Sequence, residues 1–176
     1  IKLDKPKEFK LKNGIRVLVV ENHKLPRINY SLRFDRKPIV EGEKTGVISL
    51  LGSMLGNGTT NIPKDDFNEE VDFLGAGINV GFGSGFAFTL TKNNERVLDL
   101  FSDAVINPLL TEEEFEKEKD KLIEGLKSQK KDIDAISGRV GDALSYGKSH
   151  AYGEFISEQT IDNIKFEDIL DYHAKY

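Results

Sequence analysis

The chain has 176 residues, of which 31% are charged and 38% hydrophobic, and a formal net charge of −5. This length is sufficient for one domain with a sizeable core, and the acidic balance argues against binding to nucleic acid or an anionic membrane surface. The sequence contains no cysteine, which excludes disulfides, thiol chemistry and cysteine-ligated metals.

The first 35 residues show the alternation of apolar and polar side chains that is typical of β-strands. A hairpin is predicted around Asn13-Gly14, a pair that favours a type I′ turn, with Phe9 and Leu11 before it and residues 15–19 after it. A third strand is predicted after Pro26, with apolar residues at Ile28, Tyr30, Leu32 and Phe34.

Residues 45–59 contain no charged side chain and predict a helix that is apolar on nearly all sides, and hence buried. Its small residues lie at i, i+3, i+4 and i+7 and form one narrow stripe: Ser49, Gly52, Ser53 and Gly56. We expect this stripe to admit another backbone or a bulky group, or to leave a hollow.

A second helix is predicted from Pro63 to a stop at Gly75, followed by a hairpin over residues 76–92 with its turn near Gly83-Ser84-Gly85. The apolar residues of this hairpin are Ile78, Val80 and Phe82, then Phe86, Phe88 and Leu90. Four helical segments follow: one capped by Asn93 or Asn94, one opened by a Thr111–Glu114 capping box, one with Ile133, Ile136, Val140 and Leu144, and one from about Lys165.

Strand hairpins followed by helices predict an α+β fold in which an antiparallel sheet has helices packed on one face. We find no internal repeat, low-complexity tract or linker, so residues 1–176 are predicted to form a single domain.

Four groups of residues invite a chemical role and are each better explained structurally. His23, His150 and His173 have no partner at the i, i+4 spacing of a metal-binding helix. The glycines of residues 75–85 lie along a predicted hairpin rather than between a strand and a helix, where a phosphate would bind.

Ser49 and Ser53 have no neighbouring base that could activate a serine nucleophile, and they are expected to pack. The acidic run 112–118 is expected to be a solvated helix face with i, i+4 ion pairs.

Taken in order, these features resemble the pitrilysin/insulinase family of zinc peptidases, especially the branch of mitochondrial processing peptidase and its bacterial relatives. The resemblance covers essentially the whole chain as the amino-terminal domain of that architecture. It is carried by residues 11–17, 46–59, 107–108, 114–119, 146–147 and 150–153.

Active members of this family carry the zinc motif His-Xaa-Xaa-Glu-His on the helix that corresponds to residues 45–59. Two histidines bind zinc, the glutamate is the base for the zinc-bound water, and a glutamate from a later helix is the third protein ligand. By this resemblance the histidine positions are Ser49 and Ser53, the base position is Gly52, and the later ligand falls near Gly125, beside Glu124. We therefore predict no catalytic residue, no cofactor and no bound zinc in this chain.

The resemblance implies a catalytically inactive subunit that pairs with an active zinc-binding homologue to form a peptide-degrading or processing chamber. Its expected partners are that homologue and peptide substrates, without nucleic acid or membrane. The alternatives are a stand-alone peptide-binding or scaffold protein and an active zinc endopeptidase that uses substitute ligands.

The family normally has a further strand after the helix that ends near Tyr176. Because the sequence stops within that predicted helix, we expect a fragment of a longer two-domain chain that lacks the last strand. The compartment is not determined by these residues, and the resemblance favours the periplasm over the cytoplasm.

Overall fold

The computed structural model describes residues 5–176, so the first four residues of the predicted domain lie outside it. The described residues form an α+β fold, which confirms the predicted class. Its elements are, in chain order, β1 (Lys7–Lys10), β2 (Arg16–Val19), β3 (Arg27–Arg33), α1 (Val47–Met54), α2 (Lys64–Phe73), β4 (Gly77–Gly81), β5 (Ser84–Leu90), α3 (Asn94–Ile106), α4 (Glu112–Gln129), α5 (Ile133–Tyr146), α6 (Glu158–Asp162) and α7 (Phe166–Lys175).

The central sheet is antiparallel and has the strand order β3-β5-β4. Directly opposite residues share a face of such a sheet, and Tyr30 and Ile78 both lie opposite the fully buried Ala87. This face packs against α3, whose buried residues are Val97, Leu100, Phe101 and Ala104.

The phenylalanines of β5 lie on the other face of the sheet. The turn consists of Phe82 and Gly83, because Gly81 lies opposite Ser84, and this register directs Gly85, Ala87 and Thr89 toward the core. Phe86 and Leu90 are consequently 45% and 42% exposed. The alternation in the sequence was therefore sufficient to predict the strand but not which face is buried.

The first hairpin forms a separate two-stranded sheet, β1-β2, whose large apolar side chains include the half-exposed Phe9 and Leu18. Its predicted type I′ turn is wrong. Of the two residues Asn13 and Gly14, only Gly14 has a positive φ, +93°, whereas a type I′ turn needs both. The Gly14 N–H donates to the Leu11 carbonyl (3.0 Å) and the Leu11 N–H to the Ile15 carbonyl (2.8 Å), which gives a three-residue loop.

The core has two parts. The first lies between the sheet, α2 and α3 and contains Phe67, Val71, Val80, Ala87, Val97, Leu100, Phe101 and Ala104. The second surrounds α1 and contains Val47, Leu50, Leu51, Met54, Phe115, Ile164 and Ile169. Leu55, which directly follows α1, contacts both parts. The helix at residues 47–54 thus joins the sheet layer to α4 and α7.

The helix starts are mostly as predicted, with corrections at α4. Thr111 Oγ1 accepts a hydrogen bond from the Glu114 N–H (3.3 Å), but the Glu114 carboxylate binds Lys64 and Lys117 rather than completing a capping box. The ion pairs within the acidic run, at Glu114–Lys117 and Glu118–Lys121, have i, i+3 rather than i, i+4 spacing.

The helix predicted from Ile133, Ile136, Val140 and Leu144 forms as α5, and its apolar residues are exposed: Ile133 is 80% and Leu144 82% exposed. The short helix α6 was not predicted; its capping box joins Ser157 and Thr160. Among the helices of residues 5–176, none combines the length and apolarity needed to cross a membrane.

Candidate functional site

The helix α1 carries the candidate site and is fixed by its apolar side. Val47, Leu50, Leu51 and Met54 are almost completely buried, and they pack in the same cluster as Phe115 of α4 and Ile169 of α7. Burial of such side chains contributes about 1.5–3 kcal/mol each. The backbone of α1 is therefore held rigidly between two other helices, whatever its remaining side chains do.

The amino-terminal end of α1 is anchored by two glutamates that sequence reasoning missed. The Glu41 carboxylate accepts hydrogen bonds from the backbone N–H groups of Gly46 (3.1 Å) and Ile48 (2.9 Å). Glu154 accepts from the backbone N–H groups of Glu41 (2.9 Å) and Gly42 (2.7 Å). Burial raises the pKa of Glu41, and the nearby charge of Glu154 adds to the increase.

The predicted stripe of small residues does not form one surface, because α1 ends at Met54 and the serines and glycines of the stripe have different surroundings. Ser49 and Ser53 are exposed, so the expectation that they pack is wrong: the contacts of α1 with α4 and α7 use the apolar residues on another side of the helix. Gly56 lies beyond the helix with φ +77°. A Cβ on Gly52 would contact the Phe82 backbone nitrogen at 3.8 Å, and one on Gly56 would contact that of Val80 at 3.4 Å. The glycines thus seat α1 near β4, and the serines face open space.

The position that the resemblance gives to the third zinc ligand lies in α4, which packs directly against α1. A Cβ added at Gly125 would meet no atom within 4 Å, and the neighbouring Glu124 is exposed. Glu118, about two turns earlier in the same helix, binds Lys121 at 2.5 Å. The positions that the resemblance assigns to the zinc ligands therefore lie on two adjacent helices, α1 and α4.

The residues at these positions do not fit a zinc ion. Serine hydroxyls are neutral and weak ligands, and glycine supplies no side-chain ligand, whereas zinc in proteins is bound by imidazole, thiolate or carboxylate. In the part of the chain that the structure describes, no group of three histidine, cysteine, aspartate or glutamate side chains is placed to hold a metal. No step of zinc chemistry can be assigned to these side chains.

The three histidines lie in different parts of the fold. His23 Nε2 is 3.5 Å from Glu21 in an exposed loop, and the ring of His150 stacks on Tyr146 with 5.5 Å between centroids. His173 is half-buried in α7. The structure keeps these three side chains apart, in agreement with the absence of an i, i+4 pair in the sequence.

The glycine-rich run has the packing role that was predicted for it. A Cβ on Gly77 would come within 2.3 Å of the Phe88 ring, and one on Gly85 within 2.8 Å of the Phe101 ring. These glycines lie in β4 and β5, not at the start of a helix. Close aromatic packing accounts for them without a phosphate ligand.

A family model described as "Insulinase (Peptidase family M16)" matches residues 39–144, which include α1 and α4. The chain belongs to the insulinase family. This result confirms the resemblance found in the sequence, and the family motif His-Xaa-Xaa-Glu-His is absent from the sequence of this member.

Solved structures have the same fold as this insulinase-family chain. A peptidase M16 inactive domain from Pseudomonas fluorescens has a TM-score of 0.85 at 22% identity, and the match covers 97% of this chain and 43% of that one. A protease from Helicobacter pylori has a TM-score of 0.80 at 22% identity and covers 99% of this chain and 44% of its own. The chain thus spans less than half the length of these proteins. No curated protein matches it significantly.

Proposed function

We propose that this insulinase-family chain is a catalytically inactive subunit that pairs with an active zinc-binding homologue and helps to enclose a peptide-degrading or processing chamber. The observation that carries the proposal is the exposed face of α1. The helix that would bear zinc in an active member is kept rigid by its buried side, while Ser49 and Ser53 are exposed and Gly52 lies between them. The helix keeps its buried packing, although its exposed residues are not metal ligands.

An open, uncharged face on a rigid helix is suited to line a chamber. Ser49 and Ser53 present only small hydroxyl groups, and the Ser53 Oγ donates to the Leu50 carbonyl of its own helix (2.9 Å). Such a surface neither binds a metal nor repels a passing peptide of either charge. The Pseudomonas fluorescens neighbour is itself described as a peptidase M16 inactive domain, which gives a precedent for a non-catalytic chain with this fold.

The strand β4 offers a way to hold a peptide. Within the described residues it is an edge strand of the sheet β3-β5-β4, and it lies beside α1. Edge strands leave a row of backbone N–H and C=O groups that an extended peptide can pair with as an added strand. A peptide bound there would run near the serine face of α1.

The pairing is tested by purifying the protein together with its zinc-binding homologue and measuring complex formation by size exclusion and peptide hydrolysis. We expect a complex whose activity exceeds that of the homologue alone. The variant Ser53→Trp should reduce this activity by narrowing the chamber, while Ser137→Trp, on the exposed surface of α5, should leave it unchanged. Absence of both a complex and an activity gain would contradict the proposal.

A second candidate, a stand-alone peptide-binding or scaffold protein, is favoured by the edge position of β4, because strand addition needs no partner subunit. Extended peptides that bind the isolated protein at the affinity they show for the complex would support it. An active zinc peptidase with substitute ligands is a third possibility, and stoichiometric zinc in a metal analysis of the purified protein would be its signature.

A further inference from the structure

A cavity of about 280 Å³ lies apart from the serine face of α1, between the β4–β5 turn, the end of α3 and the end of α7. Leu55, Val80, Val105 and Ile106 form its apolar wall, and Phe82 belongs to the turn. Its polar side chains are those of Arg36, Ser84, His173 and Tyr176. The lining is therefore mostly apolar, carries one permanent positive charge and includes no aspartate or glutamate.

The cation in this cavity has no anionic partner in the described structure. The Arg36 guanidinium lies over the Phe82 ring, with 3.6 Å between its central carbon and the ring centroid, a cation–π contact. Arg36 takes part in none of the ion pairs or side-chain hydrogen bonds of residues 5–176, and its Nη1 atom is buried without a partner. Burial lowers the pKa of Arg36, and the neighbouring Tyr176 opposes the decrease.

An uncompensated guanidinium is energetically costly in an apolar setting. A buried donor without a partner is destabilising, and more so when it is charged. Arg96 differs in this respect, because it forms a bidentate pair with Glu70, with N–O distances of 2.6 and 2.7 Å. The group that best offsets the cost at Arg36 is a carboxylate, because its two oxygens match the planar fork of donors.

We propose that this cavity binds the carboxylate of an acid with an apolar body, with the carboxylate paired to Arg36 and the body placed against Leu55, Val80 and Val105. The volume lies just below the roughly 300–1,000 Å³ of typical small-molecule sites, so the body is the size of one large side chain. The inference does not depend on the pairing proposed above, because the cavity lies outside the serine face of α1.

Two kinds of molecule carry such a carboxylate on an apolar body: a free aromatic or aliphatic acid, and the carboxyl terminus of a peptide. They are distinguished by four probes: N-acetylphenylalanine, its carboxamide, the peptide Ala-Ala-Phe and the amide of that peptide. Binding to the purified protein is followed by isothermal titration and by ligand-observed NMR. We expect each acid to bind about ten- to a hundredfold more tightly than its amide, because the charge-assisted hydrogen bonds are lost in the amide.

The assignment to Arg36 is tested with three variants. Arg36→Met removes the charge but keeps an apolar stem over Phe82, and it should abolish the preference for acids; Arg36→Lys should retain part of it. Arg27→Met is the matched control, since Arg27 also lies over a phenylalanine, Phe88, on the other face of the sheet, and it should bind like the unaltered protein.

Thermal denaturation of each variant is the control for folding: an unchanged melting temperature shows that a loss of binding does not come from a loss of folding. Tighter binding of the peptide acid than of the free acid assigns the site to a peptide terminus, and the reverse order assigns it to a free acid. Equal binding of acids and amides, or an unchanged preference in Arg36→Met, overturns the proposal.

Discussion

Glu154 holds the backbone of Glu41: the Glu154 carboxylate accepts a hydrogen bond of 2.9 Å from the Glu41 N–H, across 113 positions of sequence. Glu41 in turn uses its own carboxylate to bind the first N–H groups of α1. The loop after α5 is thereby connected to the helix that carries the candidate site. Two acidic side chains at the amino-terminal end of a helix also complement its dipole.

Glu41→Ala should lower the free energy of unfolding by about 1–3 kcal/mol, because buried N–H groups at the start of α1 lose their acceptor. Urea denaturation followed by circular dichroism measures the difference. Glu43→Ala, an exposed acid in the same loop, is the control and should stay within about 0.5 kcal/mol. Equal effects of the two substitutions would show that the Glu41 contacts do not stabilise the fold.

The pair Glu70–Arg96 predicts a pH-dependent contribution to stability. The hydrogen bonds from Arg96 lower the pKa of Glu70 below its ordinary value of 4.5. A lowered pKa in the folded state means that the contribution is present above 4.5 and is lost as the pH falls through the folded-state pKa. Glu70→Gln should therefore cost up to about 1 kcal/mol at neutral pH, since the pair is largely exposed, and nothing in strong acid.

The measurement is the difference in the free energy of unfolding between the two proteins at several pH values. Glu69→Gln, an exposed neighbour on α2, should give a difference near zero throughout. A Glu70→Gln difference that persists unchanged below the ordinary pKa would indicate a contact other than the ion pair.

Two glycine substitutions should change stability in opposite directions. Gly85→Ala would place a Cβ within 2.8 Å of the buried Phe101 ring and should destabilise the fold by about 1–3 kcal/mol. Gly138→Ala lies in α5 with open space around the new methyl group, and it should stabilise the protein by about 0.5–1 kcal/mol. Thermal denaturation of both variants checks the sign of each effect. A stabilised Gly85→Ala variant would contradict the packing of α3 on β5.

The combined variant Ser49→His and Ser53→His should bind zinc, because both side chains are exposed and four residues apart on one helix. Added zinc should stabilise the double variant by about 2.7 kcal/mol when its free concentration is a hundredfold above the dissociation constant. Each single variant is a control and should respond much less. If the double variant responds no better than a single one, the two positions do not share an accessible face.

Local sequence signals predicted much of this structure. The residues Asn93, Thr111 and Gly75 marked helix ends that the structure confirms within about a residue, since caps and stops depend on short-range hydrogen bonds and backbone conformation. The resemblance to the insulinase family was likewise recognised from the sequence, from six short segments taken together and in order, of which residues 46–59 are one. The assignment of Ser49, Gly52, Ser53 and Gly125 to the former zinc site rests on that resemblance and remains a prediction.

Burial was predicted less well, because it depends on which elements meet. The apolar face of α5 is typical of a buried helix, yet no other described element covers Ile133 or Leu144. The roles of Glu41 and Glu154 could not be predicted either, because they depend on hydrogen bonds to backbone N–H groups that only the folded structure brings near.

The sequence by itself determined most of the element order, the absence of cysteine chemistry and the absence of a His-Xaa-Xaa-Glu-His motif from residues 1–176, all of which follow from residue identity and local periodicity. Only the tertiary structure decided that Ser49 and Ser53 are exposed while Gly52 faces the β4–β5 turn, because these environments depend on where α4, α7 and the sheet contact α1. The same is true of Arg36: that its Nη1 atom has no hydrogen-bond partner can be seen only once its neighbours in space are known.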